Sequence, residues 1–293
     1  MRARRLLPLL VLLGAGCADT GTALPADVRS LSGTAGDAAV LRLAETVLIA
    51  GCMHDAGFDY PLDPAAVRDD LRAAPATSAP ITSWPEDDEQ RAARTGLGPA
   101  AEPERRRTDL ERYVDGLDPG RRQAFSTALH GDPAAGPSVE VTLPGGATVR
   151  QSRAGCGSQA QRRLYGDLDV YLHGRITADN LTPLVVARVT ADRSFVAAQG
   201  LWRVCMAEHG WPVADQAGLA ARVAEIGAER EREAAALAAR CNRQAALSAT
   251  ARRLTPAAEQ QVRADLAPLL TDLSRREQAA LPSARRVLAG EDI

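Results

Sequence analysis

Apolar residues recur at three- and four-residue steps through most of this chain, the spacing that gathers them on one face of an α-helix. Val40, Leu41, Ala44, Val47, Leu48 and Met53 do so between Asp37 and about Ala56, which predicts a helix there with Asp37 as its cap. Asp63-Pro64 and Asp118-Pro119 each join an N-cap residue to a proline suited to the first turn. The second of these starts a helix that should run to His130 before Gly131. Further helices are predicted at about 157–173, 180–190, 193–209, 214–226 and 228–254. Thr255-Pro256 is expected to cap a last helical stretch, which Pro268 and Pro282 would kink or divide. One segment breaks the helical period. Val139, Val141 and Leu143 alternate before Pro144-Gly145-Gly146, and Ala147 and Val149 alternate after it, which predicts a β-hairpin over about 138–150.

Within this pattern lies an internal duplication. Cys52-Met53 is followed after three residues by Gly57 and Phe58, and Cys205-Met206 after three residues by Gly210 and Trp211. Apart from Met1, these are the only methionines. A second pair, Cys156 and Cys241, shares Cys-x2-Gln-Ala. The spacing of the first motif describes a helix end: a left-handed glycine lets the next residue fold back on the last turn, here Phe58 onto Met53 and Trp211 onto Met206. Sulfur against an aromatic ring adds about 0.3 to 1.5 kcal/mol. The fold class expected is therefore mainly α: a helical bundle with a first repeat over 37–178, which carries an insertion and the hairpin, and a second over 179–293 with the C-terminal helices.

The first residues change the picture from fold to address. Arg2, Arg4 and Arg5 precede an apolar run from Leu6 to Leu13, and Gly14-Ala15-Gly16 then leads to Cys17. Eight residues span about 12 Å as a helix, far short of the roughly 20 residues that cross a bilayer, so the run reads as a signal peptide over 1–16. The order resembles the lipobox of bacterial lipoproteins, with Gly14 where leucine is usual. That resemblance implies lipidation of Cys17, and residues 17–36, small and polar, read as a flexible tether. The expected location is the extracytoplasmic face of the cell membrane; an ordinary signal cleavage would instead give a secreted protein. Losing residues 1–16 removes three arginines and takes the formal net charge from −2 to −5, which argues against nucleic acid as a partner.

In an oxidising compartment the four cysteines that remain allow three disulfide connectivities. The duplication selects Cys52 with Cys156 and Cys205 with Cys241, each copy closing its own loop. The loops span 104 and 36 residues. Chain entropy makes them worth about 5 and about 4 kcal/mol. These matter for a core with only 3% aromatic residues. A zinc site built from the cysteines with His54 and His209 is the sharper alternative, but the two histidines do not fall at equivalent positions of the repeat. No Cys-x-x-Cys, Gly-x-Ser-x-Gly, phosphate-binding loop or His-Glu-x-x-His occurs, and no cofactor or metal is implied. Asp167 and Asp169 lie two apart on a predicted helix and point to different sides. Glu86-Asp87-Asp88-Glu89 reads as a helix first turn, and the alternating charges of Glu229 to Glu233 as a solvated face.

The doubled Cys-Met-x3-Gly-aromatic motif, the lipobox and the all-arginine basic residues together resemble uncharacterised lipoproteins of actinobacteria. The resemblance covers about residues 40 to 250 and supplies no activity. The function expected is a lipid-anchored, non-catalytic envelope module that binds or scaffolds, its partners being the membrane through the anchor and a membrane transporter, a cell-wall component or a peptide. The alternative is a cell-surface enzyme, a hydrolase using a histidine and carboxylates. A deep pocket joining His54, His173 or His209 to a carboxylate would favour the enzyme.

Overall fold

The computed structural model describes residues 36–62, 65, 67, 69, 84–97, 107–132, 134–143, 146–226 and 228–291. The expected signal peptide, Cys17, nearly all of the expected tether and the expected helix start at Asp63-Pro64 lie outside the described residues. The chain is mainly α-helical, with one antiparallel hairpin and two disulfides. In order the elements are α1 (Asp37–Asp55), α2 (Glu89–Thr95), α3 (Asp109–Asp115), α4 (Pro119–His130), β1 (Ser138–Thr142) and β2 (Thr148–Ser152). Then follow α5 (Cys156–Tyr165), α6 (Leu168–Asp179), α7 (Leu181–Thr190), α8 (Arg193–Glu208), α9 (Gln216–Ile226), α10 (Ala228–Gln244), α11 (Leu247–Asp265) and α12 (Ala267–Ala289). No helix among the described residues is long and apolar enough to cross a membrane.

Two large apolar cores form among the described residues, and the chain passes from one to the other between Ala178 and Leu181. The first joins α1, the hairpin, α5, α6 and α12; the second joins α7 to α11. Two segments cross between them. Helix α12 lays Leu281, Ala284 and Leu288 against the first core, alongside α1. In the other direction, residues 84–97 run onto the second, where Ala92 packs against Ala235 and Ala239. Neither core is therefore a contiguous stretch of chain, and the C-terminal end of the 179–293 unit belongs by packing to the first. In the hairpin Val141 pairs with Val149, and Val139, Val141 and Leu143 turn inward as their alternation requires.

The helix starts follow local chemistry at most places. Asp118 caps α4 by accepting from Arg121 N (3.0 Å), with Pro119 in the first turn. Asp37, expected as a cap, is instead the first helical residue of α1, where its charge favours the N-terminus; Gly36 holds the cap position. Two helices expected to be continuous are broken. The stretch at 157–173 ends at Gly166, and Asp167 starts α6 by accepting from Asp169 N and Val170 N. Asp167 is thus an exposed N-cap rather than a position within one continuous helix. The stretch at 228–254 turns at Ala246, the one described non-glycine residue with positive φ (52°). Thr255-Pro256 does not cap a helix; it lies inside α11, where Thr255 Oγ1 donates to Ala251 O (2.8 Å) and accepts from Trp84 Nε1 (3.0 Å). Pro282 likewise sits within α12, and Pro268 in its first turn.

Candidate functional site

The duplicated motif is a pair of equivalent helix ends. At the end of α1, Phe58 N donates to Met53 O (2.9 Å) and Gly57 N to His54 O (2.9 Å). At the end of α8, Trp211 N donates to Met206 O (2.9 Å) and Gly210 N to Ala207 O (3.0 Å). Both are the paired bonds of a Schellman cap, with Gly57 at φ 79° and Gly210 at φ 82°. Phe58 folds into the cluster of Met53, Phe125 and Cys156, and Trp211 into the second core with Met206. An arginine covers each aromatic: Arg121 lies 4.4 Å from the Phe58 ring centre and Arg222 5.7 Å from that of Trp211.

Just before each cap a disulfide is anchored. Cys52 bonds Cys156 and Cys205 bonds Cys241, with Cα separations of 5.5 and 5.7 Å. The partners are not equivalent in position, since Cys156 opens α5 whereas Cys241 lies near the end of α10. The sulfurs of Cys205 and Cys241 lie within 4.8 Å of a His209 ring nitrogen. Because they are bonded to each other, neither is the thiolate that zinc takes as ligand. Cys52, which packs beside Met53 and Phe58, and the exposed His54 do not join this group. His54, His173 and His209 are all exposed.

The acidic run is used in docking α2 to the second core. Asp88 caps α2, Glu86 Oε1 accepts from Asp87 N and Asp88 N, Asp87 pairs with Arg252, and Glu89 pairs with Arg240 and Arg243. Buried Asn242 clamps the same segment by donating to Pro85 O and Glu86 O. In the charge run, Glu231 accepts from Leu97 N (3.1 Å), so that residue is a docking contact rather than part of a solvated face.

The feature that can do chemistry lies elsewhere. A cavity of about 430 Å³ opens between α1, α5, α6 and α12, with Gln151 of β2 at its edge. Its lining is written in helical steps: Leu41, Glu45 and Ile49 on α1, Gln161 and Tyr165 on α5, Leu172, Arg175 and Asp179 on α6, Leu273 and Glu277 on α12. Tyr165 and Tyr171 stack in one wall with ring centres 3.9 Å apart, and burial pushes both hydroxyls above their ordinary range. Arg175 is held bidentately by Asp179 (3.0 and 2.9 Å) and faces Glu277 at 3.6 Å. Burial opposes its charge, but these carboxylates outweigh that and hold it protonated.

Glu45 is the group left over. Gln151 Nε2 donates to Gln161 Oε1 (3.0 Å), and Gln161 Nε2 in turn donates to Glu45 Oε1 (2.9 Å). Among the described residues the other carboxylate oxygen has only the Tyr165 hydroxyl, at 3.5 Å. Burial raises the Glu45 pKa, and the hydrogen bond from Gln161 and the charge of Arg175 only partly offset it. A carboxyl whose pKa is raised on folding stabilises most below the ordinary carboxylate range and loses that contribution as pH rises through its folded pKa. Glu45→Gln is therefore expected to stabilise the protein at pH 7 by up to about 1 kcal/mol, because it removes a half-buried, poorly satisfied charge. Thermal melts between pH 4 and pH 8 should show wild type and variant converging at the acid end. A variant less stable at pH 7 would mean that the charge is well paired in the fold.

Sequence reasoning passed over Glu45, Gln161, Arg175 and Glu277. The available signal was a glutamate set among the apolar positions of α1, together with two of the chain's four tyrosines only six residues apart. None of His54, His173 and His209 lines the cavity. No protein-family model matches the chain, and neither a curated protein nor a solved structure was found similar to it.

Proposed function

We propose that this chain is a lipid-anchored binding protein of the cell envelope, tethered through Cys17 and carrying a small-molecule site in the cavity beside Glu45. The observation that carries the binding half is the cavity itself: about 430 Å³, with an apolar wall and a few convergent polar groups. The anchoring half rests on the basic, apolar, small-residue and cysteine order of residues 2–17. Such a protein collects its ligand at the membrane surface and presents it to a partner there, a transporter being the partner class most in keeping with a small-molecule site. A hydrolase is the second reading. It is favoured by the raised pKa of Glu45 beside Tyr165, the kind of environment that holds a general acid protonated.

Two measurements test the proposal. Growth with labelled palmitate should label the wild type and leave Cys17→Ser unlabelled and released from membranes; an unlabelled wild type overturns the anchor. Incubation of the mature protein with a small-molecule extract, followed by native mass spectrometry, should show one compound retained at up to one equivalent. Thr46→Phe, which fills the cavity, should lose it. Depletion of a compound far beyond stoichiometry, abolished in Glu45→Gln, would replace binding by catalysis, and no retained compound would overturn the binding reading.

A further inference from the structure

We infer that the cavity between α1, α5, α6 and α12 takes a small organic cation, a protonated amine on an apolar body, with the Glu45 carboxylate as its counter-ion. The inference rests on the cavity being a ligand site and deepens that reading to a ligand class. Its first support is the direction of the hydrogen bonds. Gln151 donates to Gln161 and Gln161 to Glu45, so the amide of Gln161 is fixed with its NH2 group toward the carboxylate. The chain of donors ends on Glu45 and leaves Oε2 with one contact at 3.5 Å among the described residues, where a carboxylate oxygen accepts about two. What the cavity lacks at that oxygen is a donor.

The charges decide what kind of donor. Arg175, the arginine whose field reaches Glu45, is already engaged by Asp179 and Glu277. Across the described lining, Glu45, Asp179 and Glu277 face Arg42 and Arg175, an excess of one carboxylate. An anionic ligand would add to that excess, and a neutral one would leave the half-buried Glu45 either ionised without a counter-charge or protonated, whereas a cation gives its carboxylate a partner. A cation completes the balance. Size then separates an organic cation from a metal ion. About 430 Å³ lies within the range of pockets for organic molecules, whereas calcium is held by six to eight oxygens at about 2.3 to 2.6 Å. Here the Asp179 oxygens are bound to Arg175, and one carboxylate is free to ligate. Leu41, Ile49, Leu172, Ile176 and Leu273 supply the apolar wall for a carbon body.

The test uses the mature protein as the cell makes it, held in nanodiscs with empty nanodiscs as the blank. Phenethylammonium, 2-phenylethanol and 3-phenylpropanoate, which share one ring and differ in the charge of the end group, are titrated by calorimetry. The ammonium should bind saturably at one site, and both Glu45→Gln and Thr46→Phe should weaken it at least tenfold, while the alcohol and the carboxylate give no saturable heat. Circular dichroism melts establish that both variants are folded. Failure of the ammonium to bind, or binding of it that Glu45→Gln leaves unchanged, overturns the inference. The extract experiment separates the two levels: a retained compound that Thr46→Phe loses but that carries no basic nitrogen removes the ligand class alone. No retained compound removes the binding reading with it.

Discussion

Replacing Cys52 and Cys156 together by alanine is expected to lower the free energy of unfolding by about 5 kcal/mol, the largest single effect in the molecule. The bond closes a loop of 104 residues, which includes α2, α3, α4 and the hairpin. Without it, the unfolded chain regains the freedom to separate its ends. The same pair removed from the second half, Cys205 and Cys241, closes 36 residues and should cost about 4 kcal/mol, since the entropy grows only with the logarithm of loop length. Cys156 and Cys241 are buried at 2% and 0% exposure, so attack by an external thiolate on that sulfur of either bond requires local opening. Urea unfolding of the two double variants gives the energies, and a wild type reduced by dithiothreitol as fast as an exposed disulfide would overturn the structural role. Equal costs for the two pairs would mean that packing lost around Cys241, which is fully buried in the second core, offsets its shorter loop.

Gly155→Ala is expected to cost about 3 kcal/mol or more, enough to unfold a marginal protein near its working temperature. Gly155 has φ 92° and ψ 157°, a backbone region that belongs almost wholly to glycine. A Cβ there would also meet backbone atoms, Gly131 N at 2.4 Å and the His130 carbonyl carbon at 2.7 Å. Those atoms end α4 and cannot rotate away as a side chain would. This close approach is what carries the chain into α5 and sets Cys156 opposite Cys52. Gly57→Ala is the control. Gly57 also has positive φ, 79°, but nothing lies within 4 Å of an added Cβ, so only the left-handed strain of about 1 to 2 kcal/mol applies. Denaturation midpoints of the two variants decide the matter, and equal losses would show that the contact between α4 and the residue ahead of α5 is looser than the structure has it.

Glu45, Tyr165 and Arg175 define the limit of local reasoning at the candidate site. Glu45 lies on α1 among residues that bury an apolar face, and its donors Gln161 and Tyr165 come from 116 and 120 residues further along. Nothing near Glu45 in the chain announces those partners. The tyrosine stack has the same origin. On a continuous helix residues 165 and 171 would stand about 9 Å apart along the axis, and it is the break at Gly166 and Asp167 that folds α6 back and brings the rings to 3.9 Å.

What the amino-acid order determined by itself is the set of features whose physics is local. The α1 and α8 ends follow from glycine, the following aromatic and the methionine one turn earlier. Asp118-Pro119 starts α4, the alternation about Val141 makes the hairpin, and the acid run opens α2. The duplication adds the one long-range feature legible without coordinates, the disulfide pairing, because two copies of a unit constrain each other. Tertiary structure decided the rest. Thr255-Pro256 reads as a helix start, yet it lies inside α11, where Trp84, 171 residues earlier, donates to the Thr255 hydroxyl. Ala246 takes a left-handed turn where its neighbours favour helix, beside Asn242 and Ser248 bonded to each other and to Pro85. Helix α12 and residues 84–97 cross between the cores because their apolar faces find partners there. The cavity is the extreme case: it is the space four helices leave between them, and the charge of Glu45 within it depends on groups that only the packing brings near.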